Sequence, residues 1–204
     1  MQGIATIIMI SQTINNTLYI GAVKRTKAFK LLCDLDSDVE FIYREFERYW
    51  LTGYRKSFGH DELFVRTKEV SKSHFRHVHY DSGNYIKESS RVNVNGKKSK
   101  WDKWGDFCAL CNHDQWNRKR YKYSSPTSDA FLIYFVSSER CAYVVEFIGD
   151  FAHNEIDKQS TLDKYENIAY QFYTRLDFIP MPTDEHRFDD KWLLSNQQIQ
   201  QTGT

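Results

Sequence analysis

What most limits the fold of this 204-residue chain is a pair of apolar runs, Ala130 to Val136 and Cys141 to Ile148, joined only by Ser137, Ser138, Glu139 and Arg140. Each has the length of a strand and is apolar at both alternating sets of positions, so each must be covered on both faces. The short polar link predicts a hairpin at the centre of a sheet. Other parts of the chain must then supply the layers that bury it.

Two amphipathic stretches have the period to do so. From Asp38 to Thr52, Val39, Ile42, Tyr43, Phe46, Tyr49 and Trp50 recur at helical spacing, with Ser37 and Glu40 placed as a capping box and Gly53 as a left-handed stop. From about Thr161 to Leu176, the residues Leu162, Tyr165, Ile168, Ala169, Phe172 and Tyr173 form a second apolar side. Thr17 to Val23 reads as an early strand, and Phe58 to Leu63 as a turn with a charged rim. His74 to Tyr80 alternates, with Phe75, His77 and His79 on one face and Arg76, Val78 and Tyr80 on the other. Asp81 to Lys122 has no regular period and reads as an insertion on a sheet connection.

The order strand, helix, strand, insertion, hairpin, helix predicts an α+β fold with helices against a small, mainly antiparallel sheet. Residues 1–176 form one domain in this reading, with the insertion at about 81–122. Residues 177–204, polar beyond Pro180 and Pro182, form a partly mobile C-terminal extension.

Composition excludes several classes. With 41% apolar residues, 27% charged residues, 9 Gly and 3 Pro, the chain is neither collagen-like nor low-complexity. No apolar stretch, Ile4 to Ile10 included, approaches the roughly 20 residues that span a bilayer. The N-terminus has no charged region before that stretch and no small-residue cleavage site after it, so a cytoplasmic location with reduced cysteines is expected. The net charge of +1 conceals a division. Gly53 to Tyr123 holds sixteen Lys/Arg against eight Asp/Glu, and Ser124 to Thr204 holds six against thirteen. The basic segment contains Trp101, Trp104 and Trp116 and ends in Arg118, Lys119, Arg120, Tyr121, Lys122 and Tyr123. Cations interleaved with rings suit single-stranded nucleic acid, since the cations meet phosphates and the rings stack on unpaired bases.

Three constellations carry chemistry. His77 and His79 project the same way from a strand, so one imidazole can accept a proton and the other donate one near neutral pH. Spacing alone also fits a core histidine beside a wet one. Asp129 opens the hairpin and His153 follows it, their ordinary readings being a turn-capping carboxylate and an exposed loop residue. Cys108, Cys111 and His113 have zinc-like spacing, but no second CxxC completes a site, and reduced cysteines are the simpler reading. Walker, dinucleotide, HExxH and GxSxG motifs are absent.

In order and spacing, FGHDELF at Phe58 to Phe64, HVHY at His77 to Tyr80, TSDAFLIYF at Thr127 to Phe135, AHNEI at Ala152 to Ile156 and LDKYENIAYQF in the last helix resemble YafO-type toxins of bacterial type II toxin-antitoxin modules, within the RelE/ParE-like superfamily. The resemblance spans about Thr17 to Leu176. Pro126 stands where that pattern has an arginine, and the stretch from Asp81 to Lys122 is longer than the family's connector. The resemblance implies a RelE-like fold and an endoribonuclease that cleaves mRNA on the translating ribosome, without a cofactor and restrained by a cognate antitoxin. On that reading the 2′-OH of the RNA attacks the adjacent phosphorus. His77 and His79 transfer protons with His153 in reserve, and Arg118, Lys119, Arg120, Lys122, Tyr121, Tyr123 and Asp129 line the RNA. A non-enzymatic toxin of the same fold that binds a protein such as DNA gyrase is the alternative. A zinc-containing nucleic-acid binder or nuclease is the third option.

Overall fold

The computed structural model describes residues 18–64, 74–83, 100–111, 125–175 and 178–194. They form an α+β fold with a five-stranded mixed sheet in the order β1-β5-β4-β3-β2. The strands are β1 (Val23–Arg25), β2 (Phe58–Leu63), β3 (Phe75–Tyr80), β4 (Phe131–Val136) and β5 (Ala142–Ile148). β2 to β5 pair antiparallel in succession, and β1 runs parallel to β5 at the edge. The described helices are α1 (Lys27–Leu35), α2 (Ser37–Thr52), α3 (Lys100–Cys111), α4 (Ala152–Ile156) and α5 (Gln159–Arg175). No described helix is long and apolar enough to cross a membrane.

The central hairpin forms as its sequence requires. Every residue of β4 is buried, because its two faces feed two separate cores. On one face Leu132, Tyr134 and Val136 join Val78 and Val144 beneath α2, whose Phe46 ring lies 5.0 Å from Tyr134 and 5.7 Å from Phe58. On the other face Phe131, Ile133 and Phe135 join Phe75 and Val145 beneath α4 and α5, with Phe172 set edge-on 4.7 Å from Phe135. β3 divides its side chains between these cores as its alternation predicts.

Several expectations change in physical detail. The early strand falls at Val23–Arg25 rather than at Thr17 to Val23. Gly21, at φ 104°, turns the backbone before pairing begins, and Tyr19 makes only an isolated bridge to Leu193. The cap of α2 is Asp36, whose carboxylate accepts the amides of Asp38 and Val39, so Ser37 is the first helical residue and no Ser37–Glu40 box forms. Gly53 ends α2 at φ 73° as expected. α1 was not anticipated from the sequence. Thr26 caps it by accepting the amide of Phe29, and it buries Phe29 and Cys33 one turn apart. Phe58–Leu63 is a strand rather than a turn. The stretch read as an insertion without a regular period contains α3, whose Trp104 and Phe107 are buried against Tyr54.

The C-terminal region contributes more to the fold than its sequence suggests. Residues 178–194 pack into the domain and do not trail from it. Ser137 bridges Pro180, the Met181 amide donates to the Val136 carbonyl, and the Leu194 amide donates to the Leu18 carbonyl. Arg187 is buried and meets Asp61 of β2 at 2.8 Å. The same carboxylate accepts the hydroxyls of Tyr134 at 2.6 Å and Tyr49 at 2.8 Å, and Arg76 lies 3.8 Å away. Burial alone would push this carboxyl up, but Arg187 and Arg76, with the two tyrosines, hold it below its ordinary value. Arg140, also buried, lies against Tyr19, Trp50 and Phe188 and donates to the carbonyls of Arg187, Trp50 and Ile20. One carboxylate thus ties α2, three strands and the C-terminal segment together.

Candidate functional site

Strand register brings the candidate residues together. Glu62 of β2 pairs with His77 of β3, and His79 of β3 pairs with Phe131 of β4. Adjacent strands in register share faces, so Glu62, His77, His79 and Phe131 lie on the side covered by α4 and α5. Phe131 forms the floor of the site, its ring centroid 4.5 Å from His77, 4.6 Å from His79 and 4.8 Å from His153. His79 is 5.3 Å from His77, 5.9 Å from His153 and 6.2 Å from His60, ring to ring.

His153 and Asp129 form a dyad. Asp129, just before β4, presents its Oδ1 2.6 Å from Nδ1 of His153 and accepts the His153 amide on the same oxygen at 2.9 Å. Its backbone carbonyl accepts the Ala152 amide, which fixes the first turn of α4 on the end of the hairpin. A carboxylate facing Nδ1 accepts a hydrogen bond from Nδ1–H, which fixes the tautomer and leaves Nε2 as the basic nitrogen. Both side chains are 41% exposed, so the basic nitrogen is within reach of a ligand. His153, expected to be a loop histidine held in reserve, therefore stands on a helix in the best-oriented pair of the site. Asp129, assigned to the RNA-lining set, commits its carboxylate to His153, and a negative group there would repel phosphate.

His79 is only 2% exposed. Burial and the neighbouring His77 push its pKa down to about 3, so it is a neutral imidazole at physiological pH and does not store a proton. Its Nδ1 lies 2.8 Å from the Ser128 carbonyl and 2.9 Å from the Ser128 amide. A protonated Nδ1 donates to the carbonyl, and a bare one accepts from the amide. Each tautomer therefore finds a partner in one residue, and Nε2 is free to carry either a proton or a lone pair.

His77 is 7% exposed and its Nε2 faces Oε1 of Glu62 at 3.5 Å. Its Nδ1 is buried with no partner among the described residues. Glu62, about half exposed, also meets Nε2 of His60 at 3.2 Å. The polar contact from His77 and the charge of His60 outweigh partial burial and push Glu62 down to about 2. Glu62 was missed as a site residue because FGHDEL reads as a turn, and His60 is read from sequence only as a possible partner of the cysteine pair. The available signal was a second His-x-acid alternation just upstream of His-x-His.

The cationic half of the expected site, Arg118, Lys119, Arg120, Tyr121, Lys122 and Tyr123, lies outside the described residues, as does His113. Cys108 and Cys111 end α3 with their side chains likewise outside the described set. Cys33 and Cys141 are free, buried thiols. Compared with known protein families, with curated proteins and with solved structures, the chain matches none.

Proposed function

We propose that this protein is a ribosome-dependent mRNA endoribonuclease of the YafO type, with a RelE-like fold, that blocks translation and is neutralised by a cognate antitoxin. The observation that carries the reading is the gathering of His77, His79 and an Asp129-oriented His153 around one aromatic floor. Cleavage by an internal 2′-OH needs a base, a proton donor and stabilisation of the charge that develops on phosphorus. His153, polarised by Asp129, takes the 2′ proton as the 2′-oxygen bonds to phosphorus. The bond to the 5′-oxygen breaks, and that oxygen takes a proton from His77. His79, a neutral imidazole with Nε2–H toward the site, donates a hydrogen bond to a non-bridging oxygen, a role that suits a group unable to store charge. Arg118, Arg120 and Lys122 neutralise phosphates, and Tyr121 or Tyr123 stacks a base. The products are a 2′,3′-cyclic phosphate and a 5′-OH.

The test is to add purified protein to a translating extract and to free mRNA, and to map the new RNA ends. New 2′,3′-cyclic phosphate ends that appear only with ribosomes, and that persist when a zinc-selective chelator is added, are the expected result. Intact mRNA accompanied by gyrase-dependent DNA breaks would transfer the assignment to the non-enzymatic binder.

A further inference from the structure

We propose that Glu62, His77 and His79 form a binding site for a zinc-class divalent cation, closed by His60, and that the bound ion silences the proton-transfer chemistry of the same cluster. The silencing half rests on the ribonuclease reading, whereas the binding half stands without it.

Geometry is the first support. One ligand atom from each of Glu62, His77 and His79 lies within 4.8 Å of the other two. Donors about 2.0–2.1 Å from a tetrahedral ion lie about 3.3–3.4 Å from one another. The 3.5 Å between Nε2 of His77 and Oε1 of Glu62 is long for a hydrogen bond. It is nearly the edge of such a tetrahedron. At that length the contact leaves Nε2 of this buried imidazole short of a full hydrogen bond. An under-satisfied buried polar group of this kind calls for an ion or a water, and a bond from Nε2 to a metal supplies the missing energy.

The surroundings of the other donors agree. A metal-bound histidine usually donates its second N–H to a carbonyl, which fixes ring and tautomer. The Ser128 carbonyl, 2.8 Å from Nδ1 of His79, does this and leaves the Nε2 lone pair for the ion. Glu62 is half exposed and can close the remaining gap, and His60, with Nε2 3.2 Å from its other carboxylate oxygen, stands beside the three donors and takes the fourth position by turning inward. Two or three imidazoles with one carboxylate select borderline ions such as Zn²⁺ over Mg²⁺ or Ca²⁺, which prefer all-oxygen shells. An ion held there takes the Nε2 lone pairs of His77 and His79, so neither ring transfers or donates a proton while it is bound.

The experiment is a titration of the full-length metal-free chain with Co²⁺, followed by competition with Zn²⁺. One equivalent of Co²⁺ should give the intense visible d–d bands of a four-coordinate ion, and Zn²⁺ should bleach them. Glu62→Gln, a half-exposed position that leaves the fold intact, should weaken binding by about tenfold or more. The double variant Cys108→Ser/Cys111→Ser should bind as the parent does. Failure to take up Co²⁺, or parental affinity in Glu62→Gln, would overturn the site. So would a thiolate-to-cobalt charge-transfer band that disappears in the cysteine variant. Glu62-dependent uptake by a chain that cleaves no RNA supports the site and retires the ribonuclease reading alone. Cleavage undiminished at full zinc occupancy overturns the silencing half.

Discussion

Asp61 and Glu62 are adjacent in β2 and project to opposite faces, so conservative changes at the two positions should have opposite consequences. Asp61 is 5% exposed and compensates Arg187 at 2.8 Å while accepting two tyrosine hydroxyls. Asp61→Asn keeps the shape but leaves the Arg187 guanidinium, with Arg76 close by, buried without a counter-charge. Breaking a buried pair from one side costs about 3–5 kcal/mol. With a urea dependence of about 2 kcal/mol per molar for a domain of this size, the unfolding midpoint should fall by about 2 M. Glu62→Gln removes only a half-exposed carboxylate and should change stability by less than about 1 kcal/mol.

The assay is urea unfolding followed by tryptophan fluorescence, since Trp50 is buried in the core that Asp61 closes. The pH dependence supplies a second reading. A carboxyl held below its ordinary value in the folded state stabilises the fold fully above its unfolded pKa of about 3.9, and that contribution is lost as pH falls through the folded value. The gap between parent and Asp61→Asn should therefore be widest near neutrality and narrow below about pH 4. Equal midpoints at pH 7, or a larger loss in Glu62→Gln, would show that the Asp61 cluster does not hold the fold together.

The other expectations concern the proposed chemistry. His79→Asn retains an acceptor where Nδ1 receives the Ser128 amide and removes Nε2, so it should fold normally yet cut mRNA about two to four orders of magnitude more slowly; parental rates would remove His79 from the mechanism. Asp129→Asn and His153→Ala should each slow cleavage, and the double variant should be no slower than His153→Ala, because the carboxylate acts only through that ring. Additive losses would separate the two residues. Replacing Arg118 and Arg120 together should weaken association with RNA and reduce the slope of log affinity against log salt by about 1.4, from about 0.7 per single-strand phosphate contact. An unchanged slope would place those arginines away from the RNA.

What could be read from the sequence depended on how local the determining contacts are. The hairpin, β3 and α2 announce themselves because each buries a face set by its own period. α1 escaped notice because Leu31 and Leu35 are exposed on it and blur the stripe formed by Phe29 and Cys33. β2 looked like a turn because its charged residues are buried or paired only through distant partners, Asp61 with an arginine 126 positions along the chain. The C-terminal segment read as a polar tail for the mirror-image reason, since Arg187 counts as a surface residue until its carboxylate is known. At the site, His77 and His79 were legible from alternation. The pairing of Asp129 with His153 was not, because the hairpin that folds back to join them occupies the residues between.

The two proposals for the histidine cluster are physically linked through Ser128. A buried histidine normally has its tautomer dictated by a single neighbour, which fixes what its outward nitrogen can do. Here one backbone residue offers Nδ1 of His79 both an acceptor at 2.8 Å and a donor at 2.9 Å, so neither tautomer is favoured by the loss of a partner in the other. With Nε2 protonated, the ring is a neutral donor aimed at whatever lies over Phe131. With Nε2 bare, the same ring is a metal ligand whose other nitrogen is already held. Changing between these states needs no movement of the strand, only relocation of one proton between the two ring nitrogens. On the two proposals, substrate phosphate selects the first state and a zinc-class cation the second, so occupancy by one must lower affinity for the other. Their competition for one nitrogen, measured as reciprocal weakening of RNA and cobalt binding, follows from linkage alone.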